Sequence, residues 1–311
     1  MKIYITLDGG TTNTRLTLVL DGKTVDTLKI SRGARSAIDD RAALIKSISE
    51  GIKDLLSRNE LTESQVERIL ASGMITSEFG LYKVDHTLAP AGIQKLHDNM
   101  REVSLPEVCG IKFIFISGVK TFDGSLENAD MMRGEETELM GILRKPYGRS
   151  AYVLPGSHSK IIFTDDRGRI ERFYTMLTGE MLVALSEGTI LKDAVDLYGG
   201  ETVSDYLIRG CEYAEKHGLN EALFKTRILK NLFGADKDQT YSFFSGAILS
   251  AEVKKIASLG VERVLIGGKS EIKEQLRILL SEHCKINTLS LSDEEAANAT
   301  VNGVIRIYEY K

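Results

Sequence analysis

The stretch DGGTTNTR, residues 8–15, decides the fold of this chain. Alternating β-forming residues precede it over 2–7, and a second apolar run follows at 15–20, so two strands joined by a glycine turn are predicted. Asp21-Gly22 then favours a tight hairpin, because glycine adopts a positive φ at no steric cost. Residues 23–30 are the predicted third strand.

The same order of elements returns in the second half of the chain. Residues 150–154 and 160–165 predict strands on either side of the turn PGSHS (155–159), Arg167-Gly168 predicts a hairpin, and 169–176 predicts a third strand. Helical patterns follow the strands in both halves. This recurrence indicates a duplicated α/β domain of about 120–150 residues per copy, with ligands bound in a cleft between the copies.

Helical and strand patterns fill the rest of the chain. Helices are predicted at about 39–58, 134–145, 179–188, 201–217, 220–232, 240–258 and 294–309, and further strands at 66–72, 112–117, 262–266 and 285–289. The predicted domains are 1–125, onto which the C-terminal helix at about 294–311 is expected to pack, and 126–293.

Composition excludes several classes of protein. The 311 residues are 42% hydrophobic and 27% charged, and the net charge of −4 gives no electrostatic reason to expect a nucleic-acid or membrane partner. The three cysteines are far apart with no CxxC, which argues against disulfides or a thiolate zinc site and favours a reducing compartment. The first apolar run is too short for a signal peptide or a membrane span. A cytoplasmic protein is therefore predicted, and its oligomeric state is left open, with a homodimer among the alternatives.

The two glycine turns are candidate phosphate-binding sites. Glycine has no Cβ, so successive backbone amides can form a concave anion site. The candidates are Gly9, Gly10, Thr11, Thr12 and Asn13 in the first turn, and Gly156, Ser157, His158 and Lys160 in the second. Asp8, at a strand end, is placed to hold Mg²⁺ through water. The simpler alternative for each turn is a hairpin with polar residues.

A nucleotide platform is predicted next to the second turn. The strand at 262–266 ends in Gly267-Gly268-Lys269, where a flat adenine could lie against the backbone without meeting side chains. Thr178 and Gly179 begin a helix that is expected to face the nucleotide. A helix-capping role explains Thr178 and Gly179 equally well, and a tight strand-to-helix turn explains the two glycines.

Five segments of the chain resemble 2-dehydro-3-deoxygalactonokinases (2-keto-3-deoxygalactonate kinases). MRGEETE at 132–138 resembles that family's MRGEET signature, and 153–160 resembles its V-x-PG-[ST]-H-x-K segment. The further matching segments are SGMITS at 72–77, MLTGE at 176–180, and 243–252. They agree in order and spacing, so the resemblance covers nearly the whole chain.

The resemblance implies two actin-like, or ribonuclease H-like, domains that flank a nucleotide cleft. It also implies phosphorylation of the C6 hydroxyl of 2-dehydro-3-deoxy-D-galactonate by ATP and Mg²⁺, in galactonate or galactose breakdown. One departure is Pro155-Gly156, where many kinases of the superfamily carry an aspartate, which makes Asp8 the main metal ligand. The alternatives are a kinase of the epimer 2-dehydro-3-deoxygluconate and an ATP-binding switch like actin or Hsp70.

Three carboxylates are candidates for the base that accepts the proton of the sugar hydroxyl. Asp130 precedes the predicted helix at 134–145, where related sugar kinases carry their base. Glu135 and Glu136 lie in the first turn of that helix, where carboxylates also stabilise the helix dipole. The sequence does not decide among the three.

An anionic substrate requires a cation or several amides in its site. Arg133 is the first candidate, because its guanidinium can bind a carboxylate in two places. Arg15 is the second, with pairing to Asp8 as its alternative role. Gly73, Met74 and Ser77 follow a predicted buried strand and are expected to line the sugar pocket.

Overall fold

A computed structural model describes residues 1–143, 150–198, 200–261, 263–268 and 271–311. The chain divides into two compact units. The first unit contains Met1–Pro146, Thr164–Arg172 and Glu294–Lys311, and the second contains Tyr147–Phe163 and Phe173–Asp293. In the described ranges, no helix is both long enough and apolar enough to cross a bilayer.

The elements are numbered along the chain. The strands are β1 (Ile3–Gly9), β2 (Thr14–Leu20), β3 (Lys23–Ile30), β4 (Arg68–Gly73), β5 (Thr87–Leu88), β6 (Arg101–Val103), β7 (Phe113–Phe115), β8 (Val119–Thr121), β9 (Asp130–Met132), β10 (Ser150–Leu154), β11 (Ser159–Thr164), β12 (Ile170–Met176), β13 (Arg263–Ile266) and β14 (Asn287–Ser290). The helices are α1 (Ala37–Arg58), α2 (Ile93–Asp98), α3 (Glu135–Ile142), α4 (Thr178–Gly188), α5 (Ser204–His217), α6 (Leu219–Phe233), α7 (Lys237–Ser258), α8 (Glu271–Ile278) and α9 (Asp293–Tyr308).

The two main sheets share one strand order. The first is ordered β3-β2-β1-β4-β7-β6 and the second β12-β11-β10-β13-β14. In both, the first strand of the repeat pairs antiparallel with the next strand and parallel with the strand that returns after the helices. The predicted duplication is confirmed, since five strands of one sheet have counterparts in the same order in the other.

Local chemistry explains the first repeat. Asp21 and Gly22 have φ of 46° and 79°, the left-handed pair that a two-residue hairpin requires. Helix α1 buries Leu44, Ile48 and Ile52 completely. Their spacing of four residues makes one apolar stripe, which packs on the core formed by β1, β2, β4 and β7.

Most predicted elements are confirmed to within a few residues, but two outcomes differ. The helix predicted at 134–145 ends at Ile142, because Leu143 leaves the helix with ψ of 90°. The short helix α2 and the three-stranded sheet β5-β8-β9 have no counterpart in the predictions. Strands of two or three residues are too short to show a period in the sequence.

Pairs of glycines let helices touch backbone to backbone in each unit. In the first unit, a Cβ on Gly141 of α3 would lie 1.8 Å from the carbonyl oxygen of Ala299 in α9. In the second unit, a Cβ on Gly246 of α7 would lie 1.9 Å from the carbonyl oxygen of Leu207 in α5. In both places the atom that a Cβ would meet belongs to the backbone of a neighbouring helix, so a side chain at either glycine would force the two helices apart.

The contact at Gly246 predicts a large loss of stability for Gly246→Ala. The added methyl group must displace backbone rather than a flexible side chain, which costs about 2 kcal/mol or more of unfolding free energy. Gly188→Ala is the matched control, because a Cβ there meets nothing within 4 Å, and it should be neutral or slightly stabilising. Urea unfolding followed by circular dichroism measures both. Equal stability of the two variants would contradict the packing argument.

Candidate active site

Three glycines bring the ends of β1, β4 and α3 together in the first unit. A Cβ on Gly9 would lie 2.5 Å from Cβ of Ile75, and a Cβ on Gly73 would lie 2.6 Å from the carbonyl oxygen of Gly9. Gly134 has a φ of 116°, and a Cβ on it would lie 3.3 Å from Cα of Gly73. Gly73 also has a positive φ, 77°. These approaches fix the backbone around Asp8, the neighbour of Gly9.

Asp8 lies in a row of polar side chains across the strand ends. It pairs with Arg15 of β2 on one side and with Ser72 of β4 on the other, and cross-strand neighbours point to the same face of a sheet. Arg15 is exposed, Asp8 is half-buried and Ser72 is fully buried. In the part of the chain that the structure describes, the Ser72 hydroxyl has no hydrogen-bond partner. The row therefore runs from an exposed cation to a buried hydroxyl, with Asp8 between them.

Backbone hydrogen bonds within the first glycine turn and from residues 34 and 35 fix its conformation. The amide of Gly10 donates to the carbonyl oxygen of Asn13 at 2.8 Å, and the carbonyl oxygens of Gly10 and Thr11 accept from the amides of Ala34 and Arg35. The amides of Thr11, Thr12 and Asn13 donate to no protein acceptor within the described residues. Three successive open amides are the feature that binds anions in such turns.

Two glutamates of α3 lie close to Asp8. Burial, and after it Glu135 and Asp8, raise the pKa of Glu138 to about 7. Burial also raises the pKa of Asp8; Arg15 opposes this effect, and Glu135 adds to it. Glu135 and Glu138 are three residues apart on one helix, so they share a face. The structure thus forms a carboxylate cluster of Asp8, Glu135 and Glu138, with Arg15 as its nearby cation.

Glu136 faces away from this cluster and caps its own helix. Its carboxylate is fully buried and accepts hydrogen bonds from the amide of Gly134 at 2.8 and 3.0 Å and from the Thr137 hydroxyl at 2.9 Å. Burial, followed by the charge of Glu135, raises its pKa to about 7. The contacts of Glu136 therefore fix the start of α3.

Arg133 is engaged by protein oxygens. Its guanidinium donates to the carbonyl and hydroxyl oxygens of Thr76 at 2.8 and 2.5 Å and to the carbonyl oxygen of Val84 at 2.9 Å, and it contacts the His86 ring at 3.2 Å. Burial, and then the charges of Arg133 and Lys120, lower the pKa of His86 to about 4, so its ring is neutral. Arg133 ties the segment after β4 to the start of the three-stranded sheet.

The remaining candidates of the first unit lie on two elements. Asp130 is the first residue of β9, and its carboxylate accepts a hydrogen bond from the amide of Met131. Met74 begins a single 3-10 turn directly after Gly73, and the Ser77 hydroxyl donates to the Met74 carbonyl oxygen at 2.7 Å. Met74 and Ser77 thus flank the glycine contact that surrounds Asp8.

The second glycine turn is also packed against glycines. A Cβ on Gly179, in the first turn of α4, would lie 2.5 Å from the carbonyl oxygen of Gly156. Gly268, with φ of 78°, would place a Cβ 3.2 Å from the carbonyl oxygen of Pro155. The structure therefore brings together the second turn, the start of α4 and the Gly267-Gly268 bend. Lys269, the last residue predicted for the nucleotide platform, lies outside the described residues.

The polar side chains of the second turn have protein partners. His158 Nε2 lies 3.1 Å from a carboxylate oxygen of Glu180. Lys160 is buried, with 4% of its surface exposed, opposite Leu154 in the β10–β11 register. The solvated lysine that is common in loops is thus not found here.

Glu252 lies buried beneath the second turn. Its Oε2 accepts a hydrogen bond from the Thr178 hydroxyl at 2.7 Å. Burial raises the pKa of Glu252 to about 7, although hydrogen bonds from Thr178 and Ser159 act in the opposite direction. The side chain of Thr178 is therefore occupied by a structural contact within the second unit.

Glu138 and Glu252 are the two site residues that sequence reasoning missed. Glu138 belongs to the MRGEETE segment and lies three residues after Glu135, so helical spacing could have placed it on the same face. Glu252 lies in a helix whose other buried residues are apolar or small. A lone acidic residue in such a helix is a signal for a buried functional or supporting carboxylate.

Comparison with known proteins gives matches over almost the whole chain. A family model described as 2-keto-3-deoxy-galactonokinase matches residues 8–307. The chain is 27% identical to a 2-dehydro-3-deoxygalactonokinase of Escherichia coli (strain K12) over 255 residues, covering 80% of this chain and 79% of that protein.

Solved structures show the same fold. A Sinorhizobium meliloti protein described as a candidate 2-dehydro-3-deoxygalactonokinase superposes with a TM-score of 0.81 at 20% identity, covering 99% of this chain and 97% of the other. A ligand-bound xylulose kinase of Lactobacillus acidophilus superposes with a TM-score of 0.50 at 10% identity, covering 99% and 89%. At these identities the likeness concerns the fold alone, and it confirms the predicted actin-like α/β class.

Because the carboxyl of Glu252 is buried, we expect it to make the free energy of unfolding depend on pH, and Glu252→Gln should remove that contribution. Because folding raises its pKa from 4.5 to about 7, its stabilising contribution is complete below about pH 4.5 and is lost as the pH rises to 7. The loss is on the order of 3 kcal/mol. A glutamine side chain is neutral at every pH, so the free energy of unfolding of the variant should gain on that of the wild type between pH 5 and 8.

Urea unfolding at pH 5, 6, 7 and 8 measures this difference. Glu201→Gln, at an exposed position of the same unit, is the control and should follow the wild-type curve. Parallel curves for Glu252→Gln and wild type would show that burial does not hold this proton.

Proposed function

This chain belongs to the 2-keto-3-deoxy-galactonokinase family, and on that premise we propose that it transfers the γ-phosphoryl group of ATP to the C6 hydroxyl of 2-dehydro-3-deoxy-D-galactonate. It is a kinase of a sugar acid. The observation that carries the site assignment is the carboxylate cluster at Asp8, Glu135 and Glu138 beside a turn with three open amides. The reducing compartment favoured by the dispersed cysteines is the reason for placing the reaction in the cytoplasm.

The first turn fits a phosphate group. The amides of Thr11, Thr12 and Asn13 follow one another in the turn and donate to no acceptor among the described residues, and successive amides of this kind stabilise negative charge without a side-chain cation. Arg15, on the next strand, adds a positive charge that is exposed to solvent. We assign phosphate binding to these amides. That the second turn contacts the same nucleotide stays a prediction.

Asp8 fits a magnesium ion that keeps most of its water. In the described part of the chain, Asp8 belongs to no group of three acidic, histidine or cysteine side chains whose donor atoms lie within 4.8 Å of one another. Mg²⁺ in kinases typically takes one or two carboxylates and several waters, and the unpartnered Ser72 hydroxyl lies next to Asp8. The ion, when bound, neutralises charge on the phosphates, while Asp8 holds it in place.

We assign the role of general base to Glu135. Glu136 is buried, and its carboxylate accepts hydrogen bonds from the Gly134 amide at the start of α3. Glu135 is only half-buried, and its charge adds to the effect of burial in raising the pKa of Asp8. Its carboxylate oxygen accepts the Arg133 amide at 3.1 Å, which fixes its position at the start of α3. A base held in this way accepts the hydroxyl proton as the phosphoryl group transfers.

The substrate carboxylate is assigned to Arg15 rather than Arg133. The Arg133 guanidinium already donates to Thr76 and Val84, so binding an anion there would require breaking buried hydrogen bonds. Arg15 is exposed, and its charge acts on Asp8 across the strand ends, so an anion can approach it from solvent. Arg133 then acts as a positioning residue for the segment that carries Met74 and Ser77.

A coupled assay with ATP and a panel of keto-deoxy sugar acids tests the function. Turnover with 2-dehydro-3-deoxygalactonate well above turnover with its gluconate epimer is the expected result. Preference for the epimer would reassign the substrate. ATP hydrolysis that is indifferent to every sugar acid would identify a nucleotide switch and overturn the proposal.

Glu135→Gln tests the assignment of the base. The variant keeps the size and the hydrogen-bonding capacity of the side chain but cannot accept a proton, so kcat should fall by about 10² to 10⁴, while KM for ATP changes little. Glu127→Gln, at an exposed position before β9, is the control and should retain wild-type turnover. Full activity of Glu135→Gln, together with loss of activity in Asp130→Asn, would move the role to Asp130.

A further inference from the structure

A second cluster of metal-ligating side chains lies in the second unit. Cys211 and Glu215 are four residues apart on α5, so they occupy the same face of the helix. His283 reaches them from the last position of a π-helix, Leu279–His283, which continues α8. The thiol, one carboxylate oxygen and one ring nitrogen all lie within 4.8 Å of one another. One cysteine, Cys211, thus belongs to a potential ligand set, although the spacing of the cysteines in the sequence argued against a thiolate zinc site.

The donor atoms are spaced as ligands of one ion can be. His283 Nε2 lies 3.4 Å from Oε2 of Glu215, and Cys211 Sγ lies 3.9 Å from Oε1 of Glu215. Around a zinc ion with ordinary bond lengths, nitrogen and oxygen ligands are about 3.4 Å apart, and sulfur and oxygen ligands about 3.6 Å apart. The two observed contacts use different oxygens of Glu215, so its carboxylate turns when one oxygen joins the sulfur and the nitrogen on a single ion.

The surroundings supply the outer contacts of such a site. Oε1 of Glu212 lies 3.6 Å from the other ring nitrogen of His283. A carboxylate on the far nitrogen of a histidine ligand fixes its tautomer and raises its basicity.

The three donors differ in their access to solvent. Cys211 is fully buried, and Glu215 lies against its sulfur. The thiol therefore forms the inner side of the cluster, and coordination of a divalent cation there would release its proton.

We propose that Cys211, Glu215 and His283 bind a zinc ion that joins α5 to the π-helix after α8. A thiolate, an imidazole and a carboxylate together are a donor set typical of Zn²⁺, whereas Mg²⁺ prefers oxygen ligands alone. The partly exposed side chains of Glu215 and His283 give the ion a path from solvent. The role of the ion is structural, since its ligands belong to elements that pack on the core of the second unit.

Cobalt substitution tests the site in the full chain. Metal-free protein is kept in a thiol-free reductant with excess Mg²⁺, which occupies oxygen-only sites, and is titrated with Co²⁺ and then with Zn²⁺. The expected result is a thiolate-to-cobalt charge-transfer band at one equivalent, displaced by Zn²⁺. Cys211→Ser and His283→Gln should each lose the band and bind Zn²⁺ at least about 100-fold more weakly, and Glu212→Gln about 10- to 100-fold more weakly.

Cys109→Ser is the matched control, because it removes a buried thiol of the first unit. It should keep the wild-type band and affinity. His283 lies nearer the surface than Cys211, so His283→Gln decides the outcome if Cys211→Ser fails to fold. A wild-type protein without the band, or a band that survives in folded His283→Gln, would overturn the proposal.

Discussion

Close contact between glycines, which have no Cβ atom, and neighbouring backbone is the constraint on which both units depend. Around Asp8, the carbonyl of Gly9 touches the backbone of Gly73, and Gly73 touches Gly134. Any side chain at these positions would push α3 away from the strand ends and separate Glu135 from Asp8. The second unit repeats the device, with Gly179 and Gly268 against the 155–157 backbone. The site therefore depends on the absence of side chains at these glycines as much as on its polar groups.

The carboxylates at the start of α3 differ in burial, and their contacts differ accordingly. Glu136 is fully buried and its oxygens are filled by hydrogen bonds from the start of its own helix. Glu135 is more exposed, and it shares the cluster with Asp8 and Glu138. A single turn of helix thus provides one carboxyl that stabilises the start of α3 and two half-buried carboxyls whose charges interact with that of Asp8. Burial first, and then the charge of Glu135, raise the pKa of Glu136 and Glu138 in that turn.

The sequence predicted the duplicated strand order because glycine turns and alternating strands are local signals. It singled out Gly9 and the 155–159 turn for the same reason, and Gly73 because it follows a predicted buried strand. It could not reveal that Arg133 is occupied by the carbonyl oxygens of Thr76 and Val84, since those partners lie about 50 residues away in the chain. Nor could it bring Cys211 to His283, which requires the packing of α5 against the segment that follows α8.

The raised pKa values of Asp8 and Glu138 have a thermodynamic consequence. Near neutral pH, a carboxyl with a pKa of about 7 is partly protonated in the ligand-free chain. A cation that binds beside it favours the ionised form, so binding is coupled to the release of a fraction of a proton. That proton is taken up by the buffer. For a cation that binds at this cluster, the heat measured by calorimetry depends on the ionisation enthalpy of the buffer, and the slope of that dependence counts the protons released.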